Sequence, residues 1–156
     1  MKLTRQEEIH FNNKIRTLRE DQRITQMKAF VSHGSKTTYD HCMDVTRMSY
    51  LLSRRVPFSV DEAALLRGAM LHDYYLYDWH KPHGCLHGFF HPKKALINAK
   101  RDFHLNLKEQ NIIQSHMWPL TITSLPLSRE AWIVCIADKI CATHETFLER
   151  KLLQQE

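Results

Sequence analysis

Apolar residues along this chain recur at intervals of three and four, and no segment of useful length alternates with period two. That pattern predicts amphipathic helices and argues against strands. Only 4 glycines and 5 prolines occur in 156 residues, which favours long helices and short connections over a turn-rich β fold. The start signals agree. Thr4 to Glu7 reads T-x-x-E, a capping box in which each side chain bonds the other residue's backbone N–H, opening a helix that runs to about Leu18. A second helix is expected over 22–30, stopping before Gly34, and a third from about 38–40 to Arg55, closed by Pro57. Ser59 to Glu62 reads as another capping box, launching a helix through Leu71 into His72 and Asp73. Between Tyr74 and Phe90 the period is lost and a long loop is expected, of the kind that usually carries function. Pro92 suits the first turn of the next helix, to about Phe103. Asn106 to Glu109 resembles the cap of a short helix ending near His116, and Ser128 caps a last helix to about Leu153. The expected fold is all-α: one bundle of six to seven helices, a single domain over 1–156 with its core at 38–146 and the helices of 4–30 packed on it.

Composition excludes several classes. No apolar run approaches a membrane span, and the N-terminal MKLTRQEEIHF lacks the apolar stretch of a secretory signal, so a cytoplasmic address is expected. The net charge of +5 permits an anionic partner. Lysines and arginines are scattered, without the basic and aromatic interleaving of a nucleic-acid platform, so a small phosphorylated molecule fits as well as a polynucleotide. Cys42, Cys85, Cys135 and Cys141 match no C-x-x-C spacing and read as small buried hydrophobes. The 11 histidines are far more than a chain of this size usually carries, and imidazole is the commonest metal ligand.

Helical phase sorts these histidines. His41 shares a face with Val45, Met48 and Leu52. His72 follows the phase of Leu65 and Ala69, and Asp73 that of Leu66 and Met70, so both end a helix whose apolar sides point inward. His116 continues the face of Ile112 and Ile113. Asp138 sits among Ala131, Val134, Cys135 and Ala142, where a carboxylate is costly unless paired or metal-bound. Taken singly, each is what a hydrogen-bonded core residue looks like. Their order along the chain carries the information.

That order resembles the HD superfamily of metal-dependent phosphohydrolases, named for a His-Asp doublet at a helix end. The matching residues are His41 in TTYDHCMDV, His72 and Asp73 in RGAMLHDYY, and Asp138 in VCIADKICA, spanning most of the chain from Tyr39 to Glu145. Dinuclear members hold a second metal with two further histidines. His91 in HGFFHPKKALINA and His116 in IIQSHMWPL resemble these. His87 competes with His91, which is preferred because it abuts Pro92. The sequence departs from the family in one place. Many members carry a lysine soon after the doublet, whereas Tyr74, Tyr75 and Leu76 stand here and Lys81 is the nearest basic candidate for substrate binding.

The resemblance implies that His41, His72, Asp73 and Asp138 hold one divalent ion, and that Asp73, His91 and His116 hold a second, with Asp73 bridging and central to catalysis. Such ions lower the pKa of bound water to give a hydroxide nucleophile, and a pair roughly 3.5–4 Å apart clamps both oxygens of a phosphoryl centre. Mixed nitrogen and oxygen donors suit Fe, Mn, Zn or Co, and the resemblance favours Fe or Mn among them, with Zn, Co, Ni and Mg as the other candidates. Hydrolysis of a phosphate ester or anhydride of a nucleotide or small phosphorylated metabolite is expected, with Tyr74, Tyr75, Tyr77 and Trp79 forming one wall of the pocket. The alternatives are a di-iron oxygenase of the same fold, which would consume O₂, and a non-catalytic domain that binds a nucleotide as a sensor.

Overall fold

The computed structural model describes residues 2–33, 36–78 and 87–153, with the side chains of all but His33, His87 and 148–153. Lys81, Trp79, Cys85 and Gly34 lie outside the described residues, as does the side chain of His87. Seven α-helices occur among the described residues: α1 (Arg5–Glu20), α2 (Gln22–Thr25), α3 (Thr38–Ser53), α4 (Glu62–Leu71), α5 (His87–Asp102), α6 (Leu107–Ser115) and α7 (Arg129–Leu153). The fold is all-α.

Caps decide where the helices begin. Both halves of the Thr4–Glu7 capping box form at α1, and both halves of an Asn106–Glu109 box form at α6. Ser128 Oγ accepts the Ala131 N–H at the head of α7. Two starts differ from the sequence reading. Asp61, not Ser59, caps α4, its carboxylate accepting the Ala64 N–H at 3.1 Å. The N–H of Asp61 donates to Glu130 of α7 at 2.6 Å. Helix α5 begins at His87, so Pro92 lies inside it and His91 sits on its first turns. A proline this early in a helix forfeits a single backbone bond, to the carbonyl of Gly88.

The expected helix over 22–30 divides into α2 and a 3₁₀ turn, Gln26–Ala29. It leads into two strands that the sequence reading did not foresee, β1 (Val31–His33) and β2 (Lys36–Thr37), paired antiparallel. With three and two residues they are too short to show alternation.

Helix α3 packs on α4 and α7, and α6 packs on α4, α5 and α7. Val45, Leu65, Ala69, Ile112, Val134 and Ala137 form one part of the core, contributed by four of these helices. Met70, Leu71, Tyr74, Ala95, Ala99 and Ile113 form another under α5. Phe11 and Ile15 of α1 close over Tyr50 and Leu66. Each fully buried aliphatic side chain contributes about 1.5–3 kcal/mol through removal from water.

Close approach of α4 and α6 depends on Gly68. A Cβ there would lie 2.6 Å from Ile112 Cδ1 and 3.0 Å from its Cβ, and Ile112 is fully buried and β-branched. Gly68→Ala gains about 0.5–1 kcal/mol of helix propensity and loses about 1–3 kcal/mol to overpacking. The clash is expected to win, lowering the urea midpoint, and a raised midpoint would contradict this packing argument.

Candidate metal centre

Five helices deliver the site. His41 is the fourth residue of α3, His72 caps the C-terminus of α4 with Asp73 next to it, His91 lies on α5, His116 caps the C-terminus of α6, and Asp138 lies on α7. All six are buried. The phases read from the sequence aim them inward, and short caps stop α4 and α6 where His72 and His116 reach the interior.

The donor atoms converge as two groups that share one residue. His41, His72 and Asp73 each offer an atom within 4.8 Å of the others, and so do Asp73, His91 and His116. In the first group, Asp73 Oδ2 lies 3.9 Å from His41 Nε2 and 3.7 Å from His72 Nε2. Asp138 Oδ1 adds itself there, 3.1 Å from His41 Nε2 and 3.7 Å from His72 Nε2. In the second, Asp73 Oδ1 lies 3.2 Å from His91 Nε2 and 3.4 Å from His116 Nε2. The two oxygens of Asp73 therefore face opposite groups.

The imidazoles are oriented from behind. His72 Nδ1–H donates to the Ala69 carbonyl at 2.7 Å, and His116 Nδ1–H to that of Ile113 at 2.9 Å. A carbonyl only accepts, so the proton sits on Nδ1 and Nε2 is the atom turned into the site. His41 differs: its Nδ1 faces Glu145 Oε2 at 3.0 Å. Glu145 escaped the sequence reading. Its spacing of two helical turns after Asp138, on the same face of α7, was the available signal.

Electrostatics put positive charge where the carboxylates converge. Burial opposes a charge on His41, but hydrogen bonds to Asp138 and Glu145 outweigh it and raise its pKa to about 10. Burial likewise opposes a charge on His72, and the Asp73 carboxylate overrides it, holding the pKa well above the ordinary value. Against burial, His72 and His91 hold Asp73 well below the carboxylate range. Burial is likewise outweighed at Asp138, which His41 and His72 push far down. Burial holds His116 below the ordinary imidazole value.

Two atoms test whether a metal fits. His72 Nε2 and Asp73 Oδ1 are buried and have no hydrogen-bond partner, although each has donors or acceptors of the other groups 3.2–3.7 Å away. Buried polar atoms left so are uncommon and costly. Those spacings lie at or beyond the long end of hydrogen-bond distances and suit atoms arranged around a cation. The residues fit a divalent metal.

A cavity of about 590 Å³ opens onto His41, Asp73, His91, His116 and Asp138, with apolar walls from Met117, Pro119 and Leu120. Lys139 also lines it, its ammonium donating to the His116 carbonyl at 2.9 Å. Of the aromatic residues expected at this wall, Tyr75 lines the cavity, edge-on to His91. Tyr74 does not. Its ring packs on Phe103 and its hydroxyl donates to Asp102 at 2.9 Å, because the turn after the doublet sends consecutive side chains to opposite sides. Tyr77 packs at a tilt against Tyr75 and does not line this cavity. Asn98 of α5 holds the turn, its amide donating to the carbonyls of Tyr74 and Tyr75 at 3.2 and 2.7 Å. The thiols of Cys42, Cys135 and Cys141 are free and buried, and burial pushes that of Cys141 up to about 12.

No helix among the described residues is long and apolar enough to cross a membrane. Comparison with curated proteins and with solved structures returns no match. A family model described as "HD domain" matches residues 38–143, running from the start of α3 through the body of α7 and enclosing all six site residues. With two thirds of the chain so matched, and its His/Asp groups placed to hold metal, the protein belongs to the HD domain family, whose members bind divalent metals and are mostly metal-dependent phosphohydrolases.

Proposed function

We propose that the protein hydrolyses a phosphate ester or anhydride in a nucleotide or another small phosphorylated metabolite, using two divalent ions. His41, His72, Asp73 and Asp138 would hold one ion, and Asp73, His91 and His116 the other. The observation that carries this is the pair of orphaned buried atoms, His72 Nε2 and Asp73 Oδ1, at the meeting point of the two groups. All six donors are nitrogen or oxygen, which suits Fe, Mn, Zn or Co, and Fe or Mn is the choice that the family favours. Ions bound there would act as Lewis acids on a phosphoryl oxygen and lower the pKa of water.

The chain's own residues supply binding and geometry. A cavity of about 590 Å³ has the volume of a small-molecule site and is too small for a folded polymer. Its apolar wall at Met117, Pro119 and Leu120 would hold the non-phosphate part of the substrate. Lys139, at the cavity edge, would face the phosphate. Asp73 and Asp138, kept ionised by their histidine neighbours, hold negative charge at the site without needing deprotonation near neutral pH.

The test begins with metal analysis of protein purified without chelator, followed by a panel of phosphorylated metabolites. Turnover in oxygen-18 water is expected to place one label in the released phosphate, to proceed anaerobically, to stop with chelator and to return with Mn²⁺ or Fe²⁺. Strict dependence on O₂ would refute hydrolysis and point to an oxygenase. Tight nucleotide binding without any turnover would make the protein a sensor.

A further inference from the structure

We propose that Glu145 is a positioning residue that makes the His41–His72–Asp73–Asp138 group the tighter of the two metal positions, so that the ions load in order. This rests on the two-ion reading above.

The imidazoles of the centre are not anchored alike. His72 and His116 each stand at a helix C-cap and use a carbonyl of their own last turn, Ala69 and Ile113. His41 is the fourth residue of α3, not a C-cap, and its Nδ1 faces an acceptor on another helix. Helix α7 supplies one instead, the Glu145 carboxylate, buried and 3.0 Å from His41 Nδ1. An ionised acceptor binds an N–H more strongly than a neutral carbonyl. It also draws more electron density onto the opposite nitrogen, which makes the ring a better ligand. The first position therefore holds an imidazole backed by full negative charge and two carboxylates, Asp73 and Asp138, of its own. The second has one carboxylate, Asp73, and a His116 backed only by a carbonyl.

Glu145 is itself held. Its other oxygen accepts from Lys36 Nζ of β2 at 3.0 Å, and Lys36 also pairs with Asp44. The short ribbon thus fixes the carboxylate from the side away from His41. Glu145 and Lys36 line a separate cavity of about 680 Å³, and Glu145 takes no part in lining the one onto which Asp73, His91 and His116 open. It touches neither the reacting region nor a metal directly, and acts through His41.

The probe is Co²⁺, titrated into protein stripped of metal and followed by visible absorption and equilibrium dialysis. The wild type is expected to bind two equivalents in two separate steps. Glu145→Gln keeps the length and an acceptor oxygen but loses the charge. It should raise the Kd of the first step roughly 10–100-fold and leave the second within about threefold. Glu145→Ala should do the same more strongly. In zinc-loaded protein, the His41 Nδ1–H proton resonance should be far downfield in the wild type, shift upfield in Glu145→Gln and vanish by exchange in Glu145→Ala. These readouts need no catalysis, and unchanged far-UV circular dichroism confirms that the variants fold. If wild type binds two cobalt ions but Glu145→Gln weakens both steps equally, or neither, the proposal falls and the metal centre stands. If wild type binds no cobalt, both fall.

Discussion

Asp73→Ala is expected to strip the protein of nearly all bound metal and to lower turnover by at least about 10³-fold. The reason is geometric. Asp73 sends Oδ2 toward His41 and His72, and Oδ1 toward His91 and His116, so one truncation removes a donor from both groups. It also unbalances the charge. His41 and His72 would face Asp138 and Glu145 alone, and the nearest carboxylate that overrides burial at His72 would be gone. The fold should survive, because Asp73 lies in a turn after the last residue of α4 and its carboxylate pairs with the site histidines, away from the main apolar core. Far-UV circular dichroism should be close to wild type. A variant that retained a full metal complement would show that Asp73 is not a ligand.

The second large effect is expected at the other group. His91→Ala or His116→Ala should halve the bound metal and lower turnover by about 10²-fold or more, since the clamp on a phosphoryl centre needs both ions. The two Nε2 atoms lie 2.8 Å apart and both close on Asp73 Oδ1, so loss of either opens the same position. His87→Ala should retain both ions. Equal metal loss at His87 and none at His91 would reverse that assignment. Uptake should also weaken as pH falls, because an ion must displace the protons that His41 and His72 hold in the free protein.

Much of this molecule was legible as one-dimensional pattern. Capping boxes at Thr4 and Asn106 and the serine cap at Ser128 mark helix starts because they are local chemistry, complete within one turn. The inward aim of His41, His72, Asp73, His116 and Asp138 was legible because a helix repeats every 3.6 residues, and a polar residue in phase with buried neighbours is buried with them. The ordered spacing of those residues carried the family resemblance.

What depended on tertiary structure is what depends on a second element. Asp61 rather than Ser59 caps α4, and its own N–H finds its acceptor in Glu130, 69 residues away. The ribbon at Val31–His33 and Lys36–Thr37 exists only as a pair, and neither strand is long enough to announce itself. Tyr74 and Tyr75 are the same residue type in adjacent places, and only the turn after α4 sends one to the core and the other to the cavity. Glu145 is one glutamate among several in the sequence. It becomes the anchor of His41 only because α3 crosses α7 at that point, with Lys36 holding it from the far side. Periodicity states which face of a helix turns inward, and packing alone decides what that face meets.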